Sequence, residues 1–417
     1  MILHFSVNTP FWDQWDMVAL IQKMDHHTLS FFNLWHQYNE HRIFFPLLVL
    51  MLNAYLTHWN TISEVIINFC FASLTATLIV LFLKRTFNKL GVSVVAAMLV
   101  AAWFFSLIQW ENWLWGWQLE WFMCVFGAIA SIFLLTKQSE LKNDNKNKSI
   151  LFLLAILSGI ISTYSLSAGI VVWLVGLFIL VSLKQSKKYI ITWSVTSIAA
   201  IALYYYHYTV PIQSDRLTAS FFMHHIDRFG SFFLTYLGAS VGYGLPGSNS
   251  AMLTGVMLLL SLFPLLYFVW RDKKNFKKYL PWLSLMMFSL LCGLTITVGR
   301  LFLGTSEALA SRYTTLSILY IIGITVLPLA ILDNKRCVKK IRIPVTAGIF
   351  IISFFLLFFS YKFGFIGFQE RSTTLHNVKT CTSKPDPSNA CLSSTYPIPA
   401  AIRQKLQFLK TKGLAGY

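Results

Sequence analysis

The sequence predicts an all-α polytopic membrane protein, and three observations support this. Of the 417 residues, 56% are hydrophobic and only 12% are charged, whereas soluble domains usually carry about a quarter charged residues. Apolar runs of about 15–22 residues recur along the chain, a length that suits a hydrocarbon core about 30 Å thick. Short clusters of Lys and Arg separate these runs. Such a chain has too little polar surface for a water-soluble globule.

The formal net charge of +18 indicates membrane topology rather than binding to nucleic acid. Twenty of the 34 Lys and Arg fall in five clusters, each lying between two apolar runs, as the positive-inside rule expects of cytoplasmic loops. Membrane spans would not divide a basic face for nucleic acid in this way. The clusters are Lys84–Lys89, Lys137–Lys148, Lys184–Lys188, Arg271–Lys278 and Lys335–Arg342.

With these clusters inside, the apolar runs predict ten spans and place both termini outside the cytoplasm. The runs at 149–163 and 168–183 are short, so this pair forms either two short spans or a broken hairpin that enters from the cytoplasmic face. The run Phe44–Leu56 contains Pro46 and is too short to cross, which favours a helix in the outer interface. The predicted spans are residues 62–83, 90–109, 118–136, 149–163, 168–183, 189–208, 252–270, 279–299, 313–332 and 344–361.

This topology divides the chain into three parts. An external position of the C-terminal part permits a disulfide between Cys381 and Cys391, which flank a loop there. The parts are an external acidic segment with interfacial helices at 1–61, a transmembrane helical domain at 62–361 and an external tail at 362–417.

Ten of the 16 carboxylates lie in the predicted external segments or at their edges, and ionisable groups near a membrane tend to mark function. In the stretch Phe11–Asp16, Asp13 and Asp16 stand three residues apart and share one face if the stretch is helical. Aromatic neighbours desolvate a carboxylate and raise its pKa, which suits it to general-base work. The alternative is an interfacial belt of Trp with two acids at a helix start.

A second polar group precedes the run at Phe44. In it, Arg42 is a candidate bidentate donor to a phosphate, His41 a second donor and Glu40 the residue that orients them. The alternative is a set of polar side chains that snorkel before an interfacial helix.

Four Trp side chains surround polar groups in the stretch Trp110–Gln118. An indole face stacks on a sugar ring while amides bind its hydroxyls, although an aromatic belt at the interface explains the pattern equally well. The candidate sugar-binding residues here are Glu111, Asn112, Trp115 and Gln118.

Arg300 and Arg312 lie at the external ends of two late spans. Each is a candidate clamp for a lipid-linked phosphate, and pairing with Glu307 is the alternative. The sequence contains no phosphate-cradling glycine loop, no HExxH motif and no GxSxG motif with a triad pattern. The cysteines have no metal-ligand spacing, so the sequence predicts neither a cofactor nor a metal-binding residue.

Six stretches between Phe11 and Pro397 carry a resemblance to a known group. The sequence resembles uncharacterised bacterial multispanning proteins of the GT-C glycosyltransferase superfamily, which are related in layout to aminoarabinose transferases and protein O-mannosyltransferases. The resemblance covers nearly the whole chain, and its link to the characterised enzymes is looser than its link to the uncharacterised group. The stretches are FWDQWD, YNEHRIFFPLLVLML, NWLWGWQ, STYSLSAG, SRYTTLS and ACLSSTYP.

The resemblance implies an inverting transfer of a sugar from a polyprenyl-phosphate donor to an envelope glycan or lipid acceptor, at the outer face of the bacterial cytoplasmic (inner) membrane. Such enzymes carry an essential Asp in the first external loop, a position that Asp13 matches best and Asp16 second best. Arg42 and His41 are then candidates for the donor phosphate, with Arg312 a further one. The implied partners are donor, acceptor and membrane lipid. Some related enzymes use a divalent cation and others do not, so the resemblance leaves a cation open.

The family pattern has a transmembrane helix before the acidic loop, and Met1–Pro10 do not supply it. These residues also lack the basic n-region and long apolar core of a signal peptide. We expect either that the first helical segments insert as a hairpin or that a first helix is missing from this start, and we favour the second.

Two other functions remain open from the sequence. A transporter or flippase for polyprenyl-linked glycans would place ionisable residues along several spans, with repeat symmetry, whereas here the polar groups gather at the outer ends. A glycan polymerase or ligase would need a large external loop, for which Tyr208–Ser250 is the candidate.

Overall fold

A computed structural model describes residues 1–141, 145–210, 224–242, 248–334 and 339–417. Throughout these residues the regular structure is helical, apart from one isolated antiparallel bridge between Tyr38 and His41. Eight of the described helices are long and apolar enough to cross a membrane. The chain is therefore an all-α polytopic membrane protein, as its composition predicts.

The α-helices are numbered here in chain order. Short 3-10 helices at Trp12–Asp16, Gly116–Gln118, Ser167–Val171, Thr305–Leu309 and Ser311–Tyr313 connect several of them. The α-helices are α1 Ile2–Phe5, α2 Met17–Asp25, α3 Phe31–Trp35, α4 Phe44–Thr57, α5 Thr61–Thr86, α6 Leu90–Phe104, α7 Trp110–Leu114, α8 Leu119–Gln138, α9 Asn145–Thr163, α10 Val172–Ser182, α11 Lys187–Tyr205, α12 Ile226–Gly242, α13 Ser248–Arg271, α14 Phe276–Arg300, α15 Thr314–Asn334, α16 Lys339–Thr382, α17 Asn389–Ser393 and α18 Pro399–Lys412.

Each of the ten predicted spans coincides with a helix, but α10 and α11 are not among the eight long apolar ones. Helix α10 has 11 residues and therefore rises only about 16 Å, too little to cross a hydrocarbon core. It follows a turn at Ser165–Gly169 that packs back on α9, since the Ser162 Oγ contacts the carbonyl of Gly169 at 3.5 Å. Helix α9 is itself among the eight long apolar helices, so the pair consists of one helix long enough to cross and one shorter helix.

The predicted cytoplasmic clusters gather at one end of the bundle. Arg85 at the end of α5 pairs with Glu140, which follows α8. The ammonium of Lys278 on α14 donates to the Asn88 side chain at 3.0 Å, and the Asn88 amide donates to Asp333 of α15 at 3.3 Å. The side chains of the cluster Lys335–Arg342 lie outside the described residues. The opposite ends of α8, α14 and α15 therefore face away from this basic surface.

The interior of the bundle is rich in tryptophan, and two of the buried indoles donate hydrogen bonds that link neighbouring elements. The indole N–H of Trp282 donates to the Thr86 hydroxyl and that of Trp193 to the carbonyl of Trp173, both at 2.9 Å. A buried donor without a partner costs about 1–3 kcal/mol, so these bonds fix the helices in register. Apolar side chains also cover the outside of α13, where Met257 and Phe263 are each 64% exposed, as expected of a face that contacts lipid.

Helix α12 lies within the region Tyr208–Ser250 that the sequence assigned to an external loop. Its second half is buried among α13, α14 and α15: the Tyr236 hydroxyl donates to the carbonyl of Ser289 at 3.1 Å, and the Ser240 and Ser317 hydroxyls are 2.5 Å apart. The rest of this region, 211–223 and 243–247, lies outside the described residues. The described part is a packed helix rather than a free loop.

The two external parts of the chain pack on each other over the end of the bundle opposite the basic clusters. Helices α2 and α4 share one apolar cluster with α17 and α18. The predicted interfacial helix is α4, which buries Leu47 and Leu50 while Leu52 and Leu56 are exposed. The disulfide between Cys381 and Cys391 is present, with 5.8 Å between the Cα atoms. Helix α16 continues past the predicted end of its span at residue 361 to Thr382.

Gly116 fits tightly against a buried acid of α5. A Cβ at this position would lie 2.1 Å from Oε2 of Glu64. Glu64 cannot easily move, because it accepts hydrogen bonds from the Gln14 amide at 2.6 Å and from the Trp59 indole at 2.9 Å. The absence of a side chain at residue 116 therefore allows α5 to pack beneath the tryptophan-rich turn.

We expect Gly116→Ala to lower the free energy of unfolding by about 1–3 kcal/mol, because the added methyl group displaces Glu64 from both donors. Thermal unfolding in detergent measures the change. Gly91→Ala is the matched control, since a Cβ there meets nothing within 4 Å. Equal unfolding temperatures for the two variants would contradict the close approach.

Candidate functional site

A cavity of about 260 Å³ opens at the end of the bundle opposite the basic clusters. Its walls come from the 3-10 helix at Trp12–Asp16, the bridge at Tyr38–His41, the start of α8, the turn before α10, the end of α14 and the start of α15. Seven of the candidate residues line it: Asp13, Glu40, His41, Trp115, Gln118, Arg300 and Arg312. The structure therefore gathers side chains that are up to 299 positions apart in the sequence.

Asp13 faces this cavity from the first external segment. Burial is the main influence on its carboxyl and raises its pKa above the ordinary value. The neighbouring Tyr38 and the charges of Arg312 and Arg300 oppose this effect, whereas Asp16 adds to it. The result is a carboxylate that gains a proton more readily than an exposed one and is still ionisable, which is the character that a general base needs.

Asp16 lies behind the cavity rather than in it. One of its oxygens accepts from the Tyr38 hydroxyl at 2.8 Å and the other contacts the ammonium of Lys405 at 2.9 Å. Both oxygens are therefore engaged with protein partners. Of the two predicted acids, the geometry favours Asp13 as the reactive one.

Arg300 forms an ion pair with Glu40 across the cavity. Burial raises the pKa of Glu40, whereas the charge of Arg300 lowers it. The pair joins the end of α14 to the segment before α4. Arg300 therefore lies at the cavity wall with a carboxylate as its partner. A phosphate group could take the place of that carboxylate.

His41, which the sequence predicts to be a second phosphate donor, lines the cavity. Burial lowers its pKa to about 4, so the ring is neutral at physiological pH. Its Nδ1 lies 2.9 Å from the Ser167 hydroxyl and 3.4 Å from the Ser167 amide, which donates to it. With Nδ1 as the acceptor, the proton of the ring sits on Nε2, 3.4 Å from Glu40. His41 thus fixes Glu40 and supplies no positive charge.

The role expected for Arg42 also needs correction. Its guanidinium is buried outside the cavity and donates to three backbone carbonyls, those of Tyr204 at 2.6 Å, Trp35 at 2.9 Å and Tyr206 at 2.5 Å. These bonds tie the end of α11 to the first external segment. Arg42 is therefore a structural clamp, and the positive charges that face the cavity are those of Arg300 and Arg312.

Glu111 and Asn112 hold Arg312 rather than line the cavity. Glu111 accepts from the Arg312 amide at 3.0 Å and lies 3.6 Å from its guanidinium, which also pairs with Glu307. Asn112 donates to the Arg312 carbonyl at 2.9 Å. These two residues contact Arg312 and not the cavity. Arg312 itself pairs with Glu307, one of its two predicted alternatives, and also lines the cavity.

Arg371 was not predicted, because it belongs to the tail in the sequence. Its guanidinium contacts Glu111 at 3.1 Å and lies over the rings of Phe11 at 4.6 Å, Trp110 at 5.1 Å and Trp115 at 5.8 Å. Helix α16 can approach this closely because Gly364 packs directly on the backbone of residue 107. The ion pair and the aromatic contacts connect the tail to the cavity wall.

The start of α8 provides an aromatic wall with two open hydrogen-bond acceptors. Trp115, Trp117 and Trp121 line the cavity next to Gln118 and Glu120. Among the residues that the structure describes, Oε1 of Gln118 and Oε2 of Glu120 are buried without a hydrogen-bond partner. Buried acceptors without partners are rare, and a ligand hydroxyl is a suitable donor for both. The sequence analysis did not single out Glu120. Its position just after the turn at Gly116–Gln118 is the signal that could have indicated it.

No group of three or more His, Cys, Asp or Glu side chains within the described ranges is arranged to hold a metal ion.

Comparison with known proteins adds no relative. No family model, curated protein or solved structure matches this chain. The site is therefore interpreted from its own geometry: a buried carboxylate, two arginines and an aromatic wall with unpaired acceptors.

We expect Arg42→Lys to destabilise the fold by about 3 kcal/mol, because an ammonium cannot donate to three separated carbonyls. Thermal unfolding measures this. The control is Arg403→Lys in the tail, whose arginine also donates to a carbonyl, that of Pro387, but is half exposed. We expect the control to change stability by about 0.5 kcal/mol or less. Equal effects of the two substitutions would contradict the clamp.

Proposed function

We propose that this protein is a membrane glycosyltransferase of the GT-C superfamily. It moves a sugar from a polyprenyl-phosphate donor to an envelope glycan or lipid acceptor at the outer face of the bacterial cytoplasmic membrane. The observation that carries the proposal is the convergence of Asp13, Arg300 and Arg312 on one aromatic-walled cavity.

The position of the cavity supports an external reaction. It lies at the ends of α8, α14 and α15 that face away from the basic clusters. Since Lys and Arg concentrate in cytoplasmic loops, this end of the bundle is the outer one. A lipid-linked donor suits such a place, because its phosphate sits at the membrane surface and its sugar can enter a cavity between helix ends.

In the proposed reaction, Asp13 takes the proton of an acceptor hydroxyl as its oxygen attacks the anomeric carbon of the donor sugar. The bond between that carbon and the phosphate oxygen breaks, and the phosphate leaves with the electron pair. Arg300 and Arg312 stabilise the charge that develops on the departing phosphate. Attack from the face opposite the phosphate inverts the anomeric carbon.

The aromatic wall accounts for recognition of the sugar. Trp115 and Trp117 offer indole faces to the apolar side of a pyranose ring. Gln118 and Glu120 supply acceptors that two hydroxyls of the sugar can satisfy. A sugar that lacks one of these hydroxyls would leave a buried oxygen unpaired, so the same atoms contribute specificity.

A transporter, flippase or polymerase of polyprenyl-linked glycans is the alternative reading of the sequence. The described ionisable groups that line the cavity lie at one end of the spans and not along them, which supports an enzyme. The genetic experiment below separates these functions.

Asp13→Asn is expected to abolish transfer, with a loss of at least about 100-fold, because the amide cannot accept the proton. Asp16→Asn is expected to retain much of the activity, since Asp16 lies behind the cavity. The measurement is glycan profiling of the host envelope after deletion of the gene and complementation with wild type or each variant, with immunoblots to equalise membrane levels. Restoration of the wild-type glycan by Asp13→Asn, or a defect in chain export instead of loss of one sugar, would rule out the transferase.

Transfer is expected to decline as the pH falls through the pKa of Asp13, because only the ionised carboxylate accepts a proton. Burial raises that pKa, so the decline begins at a higher pH than for an exposed Asp. Arg300→Gln removes a charge that lowers the pKa and should move the decline to still higher pH. The profile of kcat/KM for purified protein in vesicles measures both effects. A profile unchanged by Arg300→Gln would argue against Asp13 as the titrating base.

A further inference from the structure

We infer that the C-terminal tail completes the active site and that Lys405 on α18 is a positioning residue for Asp13, acting through Asp16 and Tyr38. This inference rests on the proposed function, because it assumes that Asp13 is the base. The residues come from opposite ends of the chain, since Lys405 and Asp16 are 389 positions apart.

The connection runs through consecutive contacts. Lys405 contacts Oδ1 of Asp16 at 2.9 Å, and Oδ2 of Asp16 accepts from the Tyr38 hydroxyl at 2.8 Å. Tyr38 and Asp13 line the same cavity. Each oxygen of Asp16 has its own partner, so Asp16 sets the direction of the Tyr38 hydroxyl while Lys405 fixes Asp16.

The tail also holds the backbone next to Asp13. The amide of Trp12 donates to the carbonyl of Thr395 at 3.0 Å, and Trp12 has a φ of +47°, in the left-handed region. A bulky residue occupies that region only when its surroundings stabilise it, at a cost of about 1–3 kcal/mol. The hydrogen bond to Thr395 provides such support immediately before the proposed base.

The tail is anchored strongly enough to act as part of the site. The disulfide Cys381–Cys391 closes its first loop, and the amide of Ala415 donates to the carbonyl of His58 at 3.1 Å. The hydroxyl of Tyr417 contacts those of Thr9 at 3.0 Å and Thr382 at 2.7 Å. These contacts fix α18 over the first external segment at several separate points.

The charge of Lys405 matters as well as its position. Asp16 is a negative charge close to Asp13, and Lys405 is the cation that contacts Asp16 directly. Loss of the ammonium leaves the charge of Asp16 unbalanced, which favours the protonated form of Asp13. The other titratable or charged groups that act on these two acids are Tyr38, Glu120, Arg300, Arg312 and Tyr396.

The test compares Lys405→Met, Lys405→Arg and the control Lys412→Met in the purified, disulfide-intact protein. Lys412 lies on the same helix and pairs with Asp25 at 2.8 Å, away from the cavity. We expect Lys405→Met to lower kcat about 10- to 100-fold, as a displaced catalytic group does, and to move the acidic decline to higher pH. Lys405→Arg should restore most of the activity and the wild-type pH profile. Lys412→Met should stay within about twofold of wild type, as expected of an exposed ion pair.

A double-mutant cycle with Tyr38→Phe tests whether Tyr38 transmits the effect of Lys405 to Asp13. If Tyr38 transmits the effect, Lys405→Met should change kcat and the pH profile less in the Tyr38→Phe background than in wild type. Additive effects, or a Lys405→Met variant that matches Lys412→Met, would overturn the inference while the proposed function stands.

A wild-type protein without transferase activity would instead overturn the proposed function. The arrangement is then tested by cross-linking Asp16→Cys to Lys405→Cys with a short bis-maleimide in membranes. The pair Asp25→Cys and Lys405→Cys serves as the less reactive control. Preferential cross-linking of the first pair supports the placement of Lys405 at Asp16, and its absence overturns that placement.

Discussion

The ion pairs around Glu111 are the constraint on which the arrangement of the outer end depends. Glu111 receives Arg312 from the start of α15 and Arg371 from α16, and both the acid and Arg371 are almost fully buried. Removing one partner from a buried pair typically costs about 3–5 kcal/mol, because the remaining charge has no water to solvate it. Three segments that are far apart in the sequence are thereby forced to meet at one point. That point lies beside the cavity, where Arg312 is exposed to a ligand.

A cavity with this composition lowers the free energy of unfolding of the protein. Two acceptors at the cavity wall, on Gln118 and Glu120, stay unpaired, and Asp13 is held where burial disfavours its charge. Such local costs are typical of sites where the ligand completes the hydrogen bonds. The surrounding structure compensates through tightly packed tryptophans whose indole groups bind neighbouring helices, as at Trp282 and Trp193.

The two ends of the chain pack against each other at the end of the bundle opposite the basic clusters. The first external segment consists mainly of short helices, and the tail covers it from Trp12 to His58. The disulfide and the long helix α16 make the tail a rigid support.

Hydropathy alone was sufficient for the fold class and the ten helical runs, because the bilayer imposes a length that acts along the chain. The motifs also indicated Asp13, Trp115, Gln118, Arg300 and Arg312. The tertiary structure was needed to separate Asp13 from Asp16, to assign Arg42 to a set of carbonyls and to bring Arg371 and Lys405 to the site. Those roles depend on contacts between segments hundreds of residues apart, and local sequence patterns carry no record of which distant group will neutralise a buried charge.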